Sequence, residues 1–298
     1  MIEVILAAGL SVLVGIAWSL AVRAVPRADP ARAASERVAV GLAEHARIRR
    51  FLRARVDPGT ATGLTLTLAG FAVFVAAVFL GVFAVMIRRH AGLVSVDVAV
   101  TRWAATHATS SSVRVFEAIT WAGSTIGIVL VSVATATYAL VRWRTWRVLV
   151  FFIVVVAGQL LLSNAVKIAV DRVRPNEAPF HVVAGPSFPS GHATAAAATW
   201  AAVALVLGRG ASVRVRAVLA GGAAAIAVAV ACSRVFLGAH WMSDAIGGLL
   251  LGWTWFALCA VAFGGRVLRL GEPIRDATDA SSTAARPGTR AASAPARR

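Results

Sequence analysis

Residues 148–175 read VLVFFIVVVAGQLLLSNAVKIAVDRVRP. The run from Val148 to Val170 is apolar almost throughout. As a helix it is long enough to cross a bilayer core, which takes about 20 residues. It carries one charge, Lys167, close to its end. That residue is the only lysine in a chain that otherwise takes its positive charge from 29 arginines. Seven residues on, Arg174-Pro175 follows, giving K-x6-R-P. A charge inside or beside a membrane span is costly and marks function.

The rest of the chain fits a membrane reading. Its 298 residues are 59% hydrophobic, with a mean hydropathy of +0.78. Soluble domains do not have this composition. Seven spans are expected, near 4–22, 62–87, 116–140, 148–170, 193–208, 217–233 and 245–265. In lipid, uninterrupted runs of this length must satisfy their backbone internally, as helices. The expected fold is therefore an all-α, polytopic membrane bundle. It has a six-span core over 61–268 and one extra N-terminal span over 1–24. Alanine and glycine crowd spans five and six (Ala195–Ala198, Gly221-Gly222), which lets helices approach closely.

The net charge of +17 does not indicate nucleic acid, because the arginines cluster between spans. With the segment after span one in the cytoplasm, 22 of the 30 basic residues fall on that side. The positive-inside bias then puts the N-terminus out and the C-terminus in. Residues 25–60 form a basic segment expected to lie along the cytoplasmic leaflet, where anionic lipids could hold it. Residues 88–115 form an outer connection with an amphipathic stretch around Asp97–Trp103. Residues 269–298 are expected to be a disordered cytoplasmic tail. Span one lacks a basic leader and is long for a signal sequence, so a retained helix is expected. The two cysteines, Cys232 and Cys259, read as small buried hydrophobes and form no disulfide framework.

Two more motifs accompany the first. Pro189-Ser190-Gly191-His192 precedes an alanine-rich helix. Ser190 suits the N-cap, Gly191 allows close approach, and free amides at a helix start attract anions. Ser233-Arg234, His240 and Asp244 give S-R-x5-H-x3-D. His240 and Asp244 are about one helical turn apart. Asp244 could therefore accept from Nδ1–H of His240 and leave Nε2 as a nucleophile. No acid follows His192 within 20 residues, so His192 suits the acid role. Lys167 and Arg174, on one helix, would share a side until Pro175 stops it. Each motif alone has a plain structural explanation: a snorkelling lysine, a capped helix, a satisfied histidine–aspartate pair. All three fall at the same predicted membrane face, which those explanations do not account for.

Together the motifs resemble the signature of the type 2 phosphatidic acid phosphatase superfamily. The resemblance spans roughly residues 62–265, with looser similarity at Asp97, Trp103, Ile119-Thr120 and Gly123-Ser124. It implies an integral membrane phosphatase of lipid phosphates working through a phosphohistidine, with no metal and no cofactor. His240 would attack phosphorus and Asp244 would hold it. His192 would protonate the leaving oxygen and then activate water. Lys167, Arg174, Arg234, Ser190 and Gly191 would cradle the phosphoryl oxygens. Three cations and helix-start amides can neutralise phosphoryl charge without a metal. A lipid phosphotransferase and a catalytically idle lipid-binding protein are the alternatives. An outward-facing site in the plasma membrane fits undecaprenyl diphosphate. Phosphatidate, phosphatidylglycerophosphate and prenyl-phospho-sugar lipids remain open.

Overall fold

A computed structural model describes residues 2–24, 77–89, 92–176 and 184–267. The expected basic segment, the tail, and most of the 62–87 span lie outside these residues. Among the described residues the chain is entirely helical. In order the helices are α1 (Ile2–Ala24), α2 (Ala77–Arg88), α3 (Leu93–His107), α4 (Ser110–Trp121) and α5 (Thr125–Trp143). They are followed by α6 (Arg147–Val170), α7 (Gly191–Leu207), α8 (Val213–Phe236) and α9 (Met242–Val267). Helices α5, α6, α8 and the Met242–Phe263 part of α9 are long and apolar enough to span a bilayer. Their outward faces stay apolar, as at Leu161 and Ile153, which are 71% and 56% exposed. The expected helical membrane bundle is thus observed.

Five expected spans match α1, α6, α7, α8 and α9 to within a few residues. The span expected over 116–140 does not form one helix. The chain breaks between α4 and α5, where Ala122, Gly123 and Ser124 donate to carbonyls three residues back. Ser124 then caps α5 by accepting from Gly127 N at 3.1 Å. Tight i→i−3 bonds and a fresh N-cap end one helix and start another, and a tally of apolar residues along the run is blind to both.

Helix α7 is the hub, packing against α5, α6, α8 and α9. Its residues 193–199 are all buried. The approach to α9 is backbone to backbone. A Cβ on Gly248 would lie 2.6 Å from the Ser190 carbonyl, and one on Gly252 would meet the Thr194 carbonyl closer still. No driving force from water acts between helices in lipid, so such close packing is what holds them. Helix α1 docks on α8 in the same way, with Gly15 and Gly221 facing each other's carbonyls. Its start, at Val4 and Ala7, packs with Phe116 and Leu237 near the end of α8. The α1 N-terminus therefore shares an end of the bundle with the end of α6, the start of α7 and the α8–α9 turn.

Candidate functional site

All three sequence motifs meet at that end. Two do so by a route other than the expected one. Helix α6 stops at Val170, because Asp171 turns left-handed (φ 46) and donates its N–H back to the Lys167 carbonyl at 2.9 Å. Aspartate tolerates that conformation better than most residues. Arg174 is therefore off the helix, and the expected shared helical face for Lys167 and Arg174 does not exist. They converge instead through the 185–186 turn. Lys167 Nζ donates to the Pro186 carbonyl at 2.9 Å, and Arg174 Nη2 donates to the same oxygen at 3.2 Å. Arg174 also donates to the carbonyls of Gly185 at 2.9 Å and Ala239 at 2.7 Å.

Arg174 Nη1 lies 3.3 Å from His240 Nε2. A guanidinium only donates, so Nε2 carries the lone pair and the neutral ring keeps its proton on Nδ1. Burial pushes the His240 pKa down to about 4, against the opposing pull of Asp244, with Arg174 and Lys167 lowering it further. The histidine is thus neutral near pH 7, with Nε2 as its basic atom. Burial also lowers the Arg174 pKa, and Asp244 offsets part of that.

Asp244 comes to the expected partner only loosely. Its Oδ2 stands 3.5 Å from His240 Nδ1, and Nδ1 makes no hydrogen bond of good geometry. The carboxylate has other donors. Oδ2 accepts from Ser187 Oγ at 2.7 Å and Trp241 N at 3.0 Å. Oδ1 accepts from Arg172 Nη1 at 2.6 Å. Arg172 continues to Asp97 Oδ2 at 2.7 Å. Asp97 in turn accepts from Ser243 N at 2.9 Å and Ser243 Oγ at 2.6 Å. Asp97 and Asp244 are both fully buried, so this is a charge network out of water, where removing one partner costs more than the pair gains. Arg172, Ser187 and Ser243 were not among the expected site residues, and Asp97 was noted only for a looser resemblance. Arg172 sits two residues from Arg174, and nothing in the spacing tells which of the two turns inward to a carboxylate.

Ser190 takes the N-cap position of α7 but makes no capping bond. Its hydroxyl is buried and unpartnered, while its N–H donates to the Asp244 carbonyl at 3.0 Å. Beside it, a Cβ on Gly191 would meet only Ser163 Oγ, at 3.9 Å, and that hydroxyl is also buried without a partner. Arg234 donates from Nη1 to Thr120 Oγ1 at 3.2 Å, and its buried Nε has no partner. His192 lies within electrostatic reach of Arg234, His240, Arg174 and Lys167. The eight expected residues thus gather around the start of α7, with two hydroxyls and a guanidinium N–H left unsatisfied there. Buried polar groups are rarely left so without a ligand or water to meet them.

A family model described as the PAP2 superfamily matches residues 146–267. Lipid A 1-phosphatase of Rhizobium johnstonii is 41% identical over 118 residues, which cover 36% of this chain and 43% of that protein. Phosphatidylglycerophosphatase B of Bacillus subtilis is 35% identical over 120 residues, covering 39% of this chain and 57% of that one. The chain therefore spans about half the length of the curated relatives it matches. The crystal structure of a transmembrane PAP2 type phosphatidylglycerolphosphate phosphatase from Bacillus subtilis superposes with a TM-score of 0.60. It is 28% identical and covers 66% of this chain and 98% of that one.

Proposed function

We propose that residues 146–267, which match a family model described as the PAP2 superfamily, form a domain of that family, and that this multi-pass membrane protein hydrolyses lipid phosphates through a phosphohistidine. The observation that carries the reading is the unsatisfied trio of Ser190 Oγ, Ser163 Oγ and Arg234 Nε at the start of α7, beside the cations of Lys167 and Arg174. Hydroxyls, a guanidinium and helix-start amides together suit a tetrahedral oxyanion.

The steps follow from the residues. Nε2 of neutral His240 attacks phosphorus in line, forming an N–P bond as the lipid P–O bond breaks. His192, which burial and the neighbouring cations keep neutral with a pKa of about 3, takes up a proton as the phosphate dianion binds and gives it to the leaving lipid oxygen. The same histidine then takes a proton from water, whose oxygen attacks phosphorus and breaks the N–P bond. Inorganic phosphate leaves and His240 regains its lone pair. Lys167, Arg174, Arg234, Ser190 and the Gly191 N–H hold the equatorial oxygens, where phosphoryl transfer concentrates charge. Asp244 stabilises the histidine cation. Both carboxylates of the site are engaged by Arg172, so the mechanism uses no metal.

The names of the relatives favour a phosphomonoester on a membrane lipid, with phosphatidylglycerophosphate and lipid A 1-phosphate ahead of undecaprenyl diphosphate. Purified protein offered all three in detergent with excess EDTA should release phosphate from at least one. No release from any of them, or release only on adding Mg²⁺, would overturn the mechanism. The arginine distribution supports a plasma-membrane site on the extracytoplasmic face. Asn176→Cys should then react with an impermeant thiol reagent on intact cells and Arg214→Cys should not, and the reverse pattern would move the site inside.

A further inference from the structure

A serine or threonine inside a helix has a ready partner, the carbonyl one turn back. Four buried ones here take it. Ser11 donates to the Ala7 carbonyl at 2.7 Å, Ser132 to Ile128 at 2.7 Å, Thr135 to Val131 at 2.8 Å and Thr194 to Ser190 at 2.9 Å. Ser163 does not. It lies within α6, which is long and apolar enough to span a bilayer. It is 2% exposed, and its hydroxyl has no hydrogen-bond partner. An unmet hydroxyl in that setting is costly.

The Ser163 hydroxyl borders the start of α7. A Cβ on Gly191 would lie 3.9 Å from Ser163 Oγ and meet nothing else within 4 Å. Glycine at 191 therefore leaves room on this side of the helix start, with the hydroxyl as its wall. Ser163 precedes Lys167 by one helical turn. The two share a face of α6 and stand about 6 Å apart along its axis. The Lys167 ammonium is directed to the Pro186 carbonyl, so Ser163 is the next polar group below it. The unpartnered threonines lie elsewhere. Thr101 is on α3, and Thr199 is about two turns further into α7.

We propose that Ser163 is a further substrate-binding residue, whose hydroxyl donates to a phosphoryl oxygen seated against Gly191 and so forms the membrane-side floor of the cradle. The inference rests on the phosphatase reading of this site, and it adds a residue that lies in none of the three motifs. An anionic oxygen is the chemistry that fits. It takes a short, strong bond from a hydroxyl. Lys167, the Ser190 hydroxyl and the amides at the start of α7 can all donate to it as well. A cation placed there would meet Lys167, and an apolar group would leave the hydroxyl unmet.

The test separates anion binding from turnover. Orthovanadate, a phosphate-shaped anion, is titrated calorimetrically into the full chain in detergent, and melting temperatures are read without it. Ser163→Ala should raise the vanadate Kd about tenfold, which is about 1.4 kcal/mol. Its melting temperature should stay level or rise, because the change removes a buried hydroxyl that has no protein partner. Ser163→Cys keeps the size but donates weakly, and it should resemble alanine. Equal Kd in wild type and Ser163→Ala, or wild-type affinity in Ser163→Cys, overturns the proposal and leaves the phosphatase reading standing. A raised Kd that comes with a lowered melting temperature would make Ser163 structural, and overturns it too. A wild-type chain that binds no vanadate would bring down the phosphatase reading and this inference with it.

Discussion

The two ends of this bundle use the same cations in different surroundings. At the proposed catalytic end, Lys167 and Arg174 are held by the carbonyls of residues 185, 186 and 239, and Arg172 lies between two carboxylates. At the other end, the Arg209 guanidinium lies over the Trp143 ring and, with Arg216, borders a cavity walled by alanines and aromatic rings. The difference teaches that geometry, more than charge, sets a reactive site apart. Charge fixed by short bonds out of water is preorganised for a transition state.

The comparison can be broken most sharply at the nucleophile. His240→Ala should lower kcat on the order of 10⁴-fold or more and abolish trapping of phosphoenzyme. Substantial turnover would remove His240 from the mechanism. Next in size is Asp97→Asn. It removes the ion pair that anchors Arg172 on the side away from Asp244, and a small misplacement of catalytic groups costs roughly 10²-fold. The expected loss is in kcat with KM little changed, and Asp97→Glu should recover part of it. A loss confined to melting temperature would make Asp97 purely structural. Lys167→Arg keeps the charge and trades a compact ammonium for a wide fork. A loss of about tenfold, worth about 1.4 kcal/mol of barrier, is expected. Wild-type rates would mean that only charge matters there.

Stability should follow the same division. His240 is neutral when folded until pH falls to about 4, whereas an exposed histidine protonates near 6.5. Between those values the unfolded chain binds the extra proton, so stability drops as pH falls through that window. Melting curves in detergent should shift down by several degrees from pH 6.5 to 4, and by less in His240→Gln. An unchanged slope would place the titration elsewhere. The smallest effect belongs to the other end. Arg214→Gln, exposed at the start of α8, should change kcat by less than about twofold, as surface changes usually do. A large loss would couple the two ends.

Much of this arrangement is legible in the residues. Long apolar runs fix the helices, and unusual charges beside them fix which ends matter. What escapes is decided by single backbone turns and distant partners. Asp171 ends α6 four residues before Pro175, so Arg174 reaches the site from a loop. Ser190 sits at the cap position, yet its buried hydroxyl makes no capping bond. Asp97 finds Arg172 across 75 residues, a pairing that no local pattern encodes. The α4–α5 break hides in a run that carries no charge between Glu117 and Arg142.

The contact between α1 and α8 has a consequence in time. The glycines that join them, Gly15 and Gly221, belong to an early helix and one made about 200 residues later. At the usual pace of synthesis, about 5–20 residues per second, α1 waits about 10–40 s for its partner. Through that interval its glycine face is open to any other small-residue helix in the bilayer. Lipid exerts no hydrophobic pressure to hide it, so α1 does not need to aggregate, but it is free to pair wrongly. Bulk at Gly15 would therefore do its damage late in assembly, leaving a nascent chain that inserts normally and fails only when α8 arrives.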